Sequence, residues 1–462
     1  MPDISGETKS SKSIFVYVVA AIAAIGGILF GFDTGVISGA LLFIKKQWAL
    51  GATSQEFIVS AVLVGAMIGA GLSGKVADKL GRRTTIIITA VIFILGSLGA
   101  SMAPSVALLI ASRIVIGIAI GIASFCVPLY LSEVAPAGQR GALVSLNQLA
   151  ITIGIVVSYF VDDIFAATGN GWRFMFLVGV LPALFLGAGM LFLPKTPRWL
   201  VINGRDDEAG TILKKISSAE NVDRDISEMK KNLEEEKVGG FKELFAPWLR
   251  IPLIIGIGIM FFQQITGINT VIYYAPTIFQ MAGFESDTAA IAATIGVGVL
   301  NVAMTVVAIY VIDKIGRKPL LSIGLAGMVI ALLALGLAFK EKAYLGDALK
   351  WVSVGSLLLY IASFAMSLGP VAWLIIAEIY PLKIRGVAMS IATFSNWAFN
   401  FIVAVSFLTI VQALGASTAF WIYAVLGIAG WFFCYFCVPE TKGHTLEEIE
   451  DHWVQGRSPR EL

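Results

Sequence analysis

Twelve long apolar stretches constrain this chain more than any other feature. They lie at roughly 14–44, 56–76, 84–103, 106–132, 141–164, 172–193, 251–281, 287–312, 319–339, 351–379, 386–412 and 417–438. About 20 consecutive apolar residues cross the hydrocarbon core of a bilayer as an α-helix. The runs do not alternate, whereas a membrane barrel needs segments of about 10 alternating residues. Charge agrees with this reading. Only 14% of the 462 residues are charged and 57% are hydrophobic, against about 25% charged in a soluble domain. The expected fold is an all-α membrane protein of twelve transmembrane helices.

A polar stretch at 195–250, rich in Lys, Glu and Asp, separates the sixth run from the seventh. The chain therefore divides into a six-helix bundle over 1–194, a linker over 195–250, a second bundle over 251–438 and a tail over 439–462. The linker has helical charge patterning and is expected to form short amphipathic helices. The run starting at Ile14 is too long for the h-region of a cleaved signal peptide. Basic residues set the orientation. With both termini inside, inner segments hold 26 Lys and Arg and outer segments hold 6. Without the long linker the balance is still 15 to 6.

The two halves repeat one another. Asp78 in GKVADKLGRR matches Asp313 in VIDKIGRK at a shift of 235. Glu133-x-x-Pro136-x-x-x-Arg140-Gly141 matches Glu378-x-x-Pro381-x-x-x-Arg385-Gly386 at a shift of 245. Pro194 to Arg198 and Pro439 to Lys442 end the two halves at the same shift. Duplicated six-span halves are the build of a carrier with a central site between them.

Each repeated charge motif anchors a helix end on the inner side. A plain anchor needs no acid, no glycine and no repeat. Asp78, Arg82, Glu133 and Arg140, with Asp313, Arg317, Glu378 and Arg385, are therefore expected to form a gating latch. Its ion pairs would bridge the two halves, with bidentate Arg–carboxylate geometry as the favourable form.

Asp33 and Arg113 lie deep in the first and fourth runs. An ionisable group within a membrane is costly and marks function by default. Both fall roughly 12–16 Å below the outer surface at about 1.5 Å per residue, so they can pair. A carboxylate whose hold on a proton changes with water access and with a nearby arginine can load on one side and release on the other. The alternative is a fixed ion pair tying two helices. His444 and His452 sit in the tail, away from this depth.

Uncharged polar residues also occur within the runs. Gln148 is in the fifth, and Gln263, Gln264, Thr266, Asn269, Tyr273 and Tyr274 are in the seventh. Asn301 is in the eighth, Trp373 in the tenth, and Asn396, Trp397 and Asn400 in the eleventh. Amides donate and accept, as sugar hydroxyls do. They also serve as interhelical glue. A net charge of +2 offers no basic stripe for nucleic acid. Cys126, Cys434 and Cys437 lie in apolar runs and read as packing residues. No metal site or cofactor is expected, and no nucleophile–base set indicates an enzyme.

The chain resembles the sugar porter family of the major facilitator superfamily, from about Ile14 to Gly443. The residues that carry the resemblance are Gly-Arg-Arg after Asp78, Glu133 to Gly141, and Gln263-Gln264-x-x-Gly267-x-Asn269. Tyr273-Tyr274, Phe394-Ser-Asn-Trp397 and Pro439-Glu-Thr-Lys-Gly443 complete the set. The resemblance is nearest to bacterial galactose, xylose and arabinose–proton symporters. It implies alternating access by two pseudo-symmetric six-helix bundles in a bacterial plasma membrane. It also implies sugar contacts at Gln148, Gln263, Gln264, Asn269, Asn301, Trp373 and Asn400, and proton coupling at Asp33 with Arg113. The implied partners are a monosaccharide, a proton and the lipid bilayer, with the protein as a monomer. One departure stands out: the family's Pro-Glu-Ser-Pro-Arg is Pro194-Lys-Thr-Pro-Arg198 here, which puts in doubt an inner ion pair at this loop. Two other readings stay open. One is a facilitator in which Asp33 is structural; the other is a sugar sensor that binds without transport.

Overall fold

The computed structural model describes residues 5–134, 140–216, 222–236, 246–381 and 384–462, with side chains described outside 5–17, 140–145 and 232–236. Among the described residues, twelve helical segments are long and apolar enough to cross a membrane. Spans 1 to 6 are Val18–Gln47, Ala52–Leu80, Arg82–Ser101, Val106–Val134, Leu146–Ala166 and Gly171–Phe192. Spans 7 to 12 are Pro247–Met281, Asp287–Ile315, Arg317–Lys340, Ala348–Glu378, Arg385–Leu414 and Ala416–Cys437. An even number of crossings puts both chain ends at one face, the terminal face. The loops at 48–51, 102–105, 167–170, 282–286 and 341–347 lie at the opposite face.

Within the first six spans, span 1 packs on span 5, and span 4 packs on spans 2 and 3. Within the last six, span 9 packs on spans 10 and 12, and span 7 on span 11. The two groups meet along spans 5 and 8, 2 and 11, and 1 and 7. Large apolar side chains such as Leu95, Phe160, Phe185 and Ile254 are exposed in mid-span. Such a surface suits hydrocarbon and would be an association site in water.

Spans 2 and 3 are divided at Gly81, at φ +86°, and spans 8 and 9 at Gly316, at φ +103°. Only glycine takes this backbone without strain. Each turn is also crowded. A Cβ on Gly81 would meet the Trp199 ring at 3.1 Å, and one on Gly316 would meet a Glu440 carboxylate oxygen at 2.6 Å. The glycine of each repeated motif is thus fixed by backbone and by packing.

Two features differ from the sequence expectation. The first apolar run continues as helix through Lys45 and Lys46 to Gln47. The lysines can be accommodated because Lys45 Nζ donates to Gln280 Oε1 at 3.1 Å and Lys46 pairs with Asp287. Spans 6, 7, 10 and 11 are not single helices. They break at Gly179, near Thr266–Gly267, at Ser367 and at Val405–Ser406. In the polar stretch the described helices are Pro197–Ile202, Asp206–Ile216 and Val222–Glu236. A further helix, Leu446–Val454, starts with a Thr445–Glu448 capping box. It buries Trp453, whose indole N–H donates to Ile379 O at 3.2 Å.

Candidate functional site

Asp33 and Arg113 meet in the interior of the first six spans. Arg113 Nη1 lies 3.3 Å from Asp33 Oδ1, and the two side chains are 0% and 2% exposed. Their surroundings are unequal. Arg113 also donates from Nε to Ile58 O at 2.7 Å and from Nη2 to Val59 O at 3.5 Å. Its guanidinium carbon stands 5.8 Å from the centre of the Phe176 ring. Asp33 Oδ2 is buried with no hydrogen-bond partner among the described residues. The cation is held by span 2 whatever the acid does. The acid depends on the cation, and its second oxygen is unpartnered among the described residues. A buried pair of this kind is fragile, because removal of one partner leaves an uncompensated charge.

The second cluster is built on helix breaks. Span 7 stops at Thr266 and restarts after Gly267, which has φ +94°. A Cβ on Gly267 would come within 2.7 Å of the Tyr423 ring, so both backbone and space demand glycine. The carbonyl freed at Thr266 accepts from Tyr360 Oη at 2.9 Å. Irregular backbone at membrane depth needs such partners. Gln263 and Gln264 sit just before this break, and Asn269 just after it.

These amides bond mainly to one another and to the break in span 10. Gln263 Nε2 donates to Leu368 O at 2.8 Å and to Gly369 O at 3.4 Å. Asn396 Nδ2 donates to Gln263 Oε1 at 2.6 Å, and Gln264 Nε2 donates to Asn396 Oδ1 at 3.1 Å. Asn269 Nδ2 donates to Gln264 Oε1 at 2.6 Å. One turn along span 11, Asn400 Nδ2 donates to Tyr273 Oη at 3.3 Å. Asn400 Oδ1 and Trp397 Nε1 are buried without hydrogen-bond partners among the described residues. The Phe30 ring of span 1 lies 5.3 Å from that of Trp397, so the cluster reaches the first half. Such a network presents alternating donors and acceptors and no charge.

The structure thus brings Gln263, Gln264 and Asn269 into one network and places Asn400 beside it. It does not tie Gln148, Asn301 or Trp373 to that network. Gln148 and Trp373 are half-buried and Asn301 is buried. None of the three makes a side-chain hydrogen bond that joins it to the amides among the described residues. The seven-residue set omits Asn396, the hub of the network, although its amide within an apolar run is a readable signal. Phe30 is absent too. One aromatic residue in an apolar run carries no signal of its own.

The charged motifs of the terminal face pair within each half, not across the halves as expected. Arg82 reaches Asp78 at 3.0 Å and Glu133 at 3.1 Å. Arg198 approaches Glu133 at 3.9 Å, so an ion pair survives the Pro194-Lys-Thr-Pro-Arg198 departure. Lys195 instead lies 5.0 Å over the Trp199 ring. In the second half, Arg317 reaches Asp313 at 3.2 Å. Its fork takes both Glu378 oxygens, at 2.9 and 3.3 Å. The Glu440 carboxylate accepts from the Arg317 and Lys318 N–H groups at 3.0 Å each. Both clusters tie helices within one half. No hydrogen bond or ion pair between two described residues joins the halves at this face. Arg385 takes no part in a bridge to Glu133 or Glu378, and donates to Tyr380 O at 3.1 Å. The Arg140 side chain lies outside the described residues. The physical reason is proximity: each motif closes a turn whose own helices already carry the complementary charge.

The halves meet through polar groups at the opposite face instead. Besides the Lys45 and Lys46 contacts at that rim, Tyr159 Oη donates to Ile272 O at 3.3 Å deeper in the seam. This arrangement is closed at the opposite face.

Known proteins agree with this architecture. A family model described as "Sugar (and other) transporter" matches residues 19–453. A putative metabolite transport protein of Bacillus subtilis, YwtG, is 45% identical over 96% of this chain and 95% of its own. The arabinose-proton symporter of Escherichia coli K12 is 40% identical over 97% of this chain and 95% of its own. The solved structure of the E. coli proton:xylose symporter XylE with 6-bromo-6-deoxy-D-glucose superposes with a TM-score of 0.82. It is 36% identical, covering 96% of this chain and 100% of that one. A match over almost the whole chain, in sequence and in fold, makes this multi-pass membrane protein a sugar transporter of the sugar porter family in the major facilitator superfamily.

Proposed function

We propose that this transporter is a monosaccharide–proton symporter of a bacterial plasma membrane, monomeric, with both termini cytoplasmic. The observation that carries the reading is the asymmetry of the buried pair. Arg113 is anchored by the carbonyls of Ile58 and Val59, whereas Asp33 has an unpartnered oxygen. Relatives named as arabinose-proton and proton:xylose symporters support it. A neutral hexose or pentose fits the uncharged amide cluster.

In the cycle we envisage, Asp33 takes a proton from outside and its hold on Arg113 loosens, while Arg113 keeps its span 2 carbonyls. Sugar hydroxyls then exchange with the amide–amide bonds of Gln263, Gln264, Asn269 and Asn396. Asn400 Oδ1 and Trp397 Nε1 add an acceptor and a donor. Gln148, Asn301 and Trp373 complete the site from spans 5, 8 and 10. The opposite face closes, the terminal face opens, and sugar and proton leave to the cytoplasm. The clusters Asp78–Arg82–Glu133 and Asp313–Arg317–Glu378 keep the helix ends of each half together as the halves rock. Arg385 is left to a partner in the other conformation, where Arg140 would act as its counterpart.

The test is sugar uptake into proteoliposomes with an imposed inward proton gradient. Native protein should concentrate sugar. Asp33→Asn should only equilibrate or exchange it. If native protein merely equilibrates sugar and ignores the proton gradient, it is a facilitator and Asp33 is structural.

A further inference from the structure

Span 11 leaves a helix N-terminus inside the protein. Its first part ends at Ala404 and its second, Phe407–Leu414, begins after Ser406. The first N–H groups of any helix lack partners within it. Here the partner comes from the other half. Glu56, near the start of span 2, accepts the Thr409 N–H at Oε1, 2.7 Å, and the Thr409 hydroxyl at Oε2, 2.6 Å. Glu56 is 1% exposed. No Lys, Arg or His among the described residues forms an ion pair with it. Its carboxylate is therefore held by a helix N-terminus, where backbone donors and the helix dipole favour negative charge. The break is braced from its own half as well, because Tyr274 Oη donates to Ala404 O at 3.0 Å.

The position matters as much as the chemistry. Glu56 lies four residues inside span 2 from the opposite face, the face at which Lys45 and Lys46 also cross the seam. A carboxylate takes donors through both oxygens at once, here a backbone N–H and a side-chain hydroxyl of Thr409. Charge-assisted hydrogen bonds of this kind are roughly twice as strong as neutral ones. A buried acid tied in this way must lose both donors when the halves part at this face.

We infer that Glu56 is the positioning residue that holds the opposite face closed, by capping the broken eleventh span from the other half. The Lys46–Asp287 pair, with Lys45 and Gln280, is a second tie at the rim. Release of the Glu56 cap is then a step of every cycle. This rests on the alternating-access reading above. It adds a specific residue to the face for which the sequence motifs supply none.

The test measures opening directly. Met102 and Tyr344 are exposed at 74% and 89%, at the opposite face of the first and second halves. Spin labels go on Met102→Cys and Tyr344→Cys, with the partly buried Cys437 replaced by serine. Pulsed electron resonance then gives the distribution of distances across the seam. Loss of two hydrogen bonds to a charged group should raise the open-to-closed ratio by roughly a hundredfold or more in Glu56→Ala. Glu56→Gln should give an intermediate shift, since its amide oxygen still accepts the Thr409 N–H. Thr409→Val, at an exposed position, should shift the ratio the same way by a smaller factor. If Glu56→Ala fails to fold, Thr409→Val decides. Unchanged distributions in the folded variants overturn the inference. The readout needs no sugar, so a native protein that fails to transport sugar refutes the proposed function separately.

Discussion

Arg113 and Asp33 should differ sharply in what their removal costs, although they form one ion pair. Among the described residues Arg113 has three acceptors, on Asp33, Ile58 and Val59, and Asp33 has one donor. Asp33→Asn removes the acid's charge and leaves Arg113 buried with its two span 2 carbonyls. The loss is of the order of one charge-assisted hydrogen bond, about 1.5–3 kcal/mol. Arg113→Met leaves a buried carboxylate without the one hydrogen-bond partner it has among the described residues. Breaking a buried pair from this side costs about 3–5 kcal/mol. The double variant Asp33→Asn, Arg113→Met buries no net charge. It should be less destabilised than the sum of the singles by about 2 kcal/mol, within the range seen for residues in direct contact. The assay is unfolding of the four proteins in detergent micelles, followed by tryptophan fluorescence and analysed as a double-mutant cycle. Equal costs for the two single variants, with additive behaviour in the double, would refute the reasoning. The span 2 carbonyls would then not anchor the guanidinium as the geometry requires.

Other residues permit sharper local tests. Asn396→Ala removes the hub that accepts from Gln264 and donates to Gln263. It should raise the apparent KM for sugar by roughly ten- to a hundredfold, the equivalent of one to two hydrogen bonds, and an unchanged KM in an uptake assay would exclude the network from the sugar site. Gly316→Ala combines a φ of +103° with an approach of 2.6 Å to the Glu440 carboxylate. It should cost at least about 1 kcal/mol, and more than Gly81→Ala, whose nearest contact is a ring at 3.1 Å; equal melting of both variants and native protein would contradict this.

Much of the architecture is legible because the bilayer imposes a simple rule. A span must be apolar for about 20 residues, and the seams between spans must carry the charge. The twelve spans, the polar stretch and the repeated motifs are visible on that ground. The breaks in spans 7, 10 and 11 are not. Hydropathy continues through Thr266–Gly267, Ser367 and Val405–Ser406, and glycine and serine are common in membrane helices. What makes those breaks tolerable is a partner far along the chain, such as Tyr360 for Thr266 O or Glu56 for the Thr409 N–H.

The site divides in the same way. Asp33 and Arg113 could be paired from sequence because each is expensive alone and their depths agree. The acids and arginines of the repeated motifs could be recognised, but not their partners. The reading that joined them across the halves met a structure in which each half satisfies its own charges. Glu56 near the start of an apolar run gave no sign of its role, since an acid at a span end is ordinary. By itself the sequence determined how many helices cross the membrane, which residues are too polar to lie there idly, and that the halves are copies. Only the tertiary structure decided which of those residues meet, because hydropathy is a property of each segment taken alone. A hydrogen bond instead depends on two segments arriving within about 3 Å of one another.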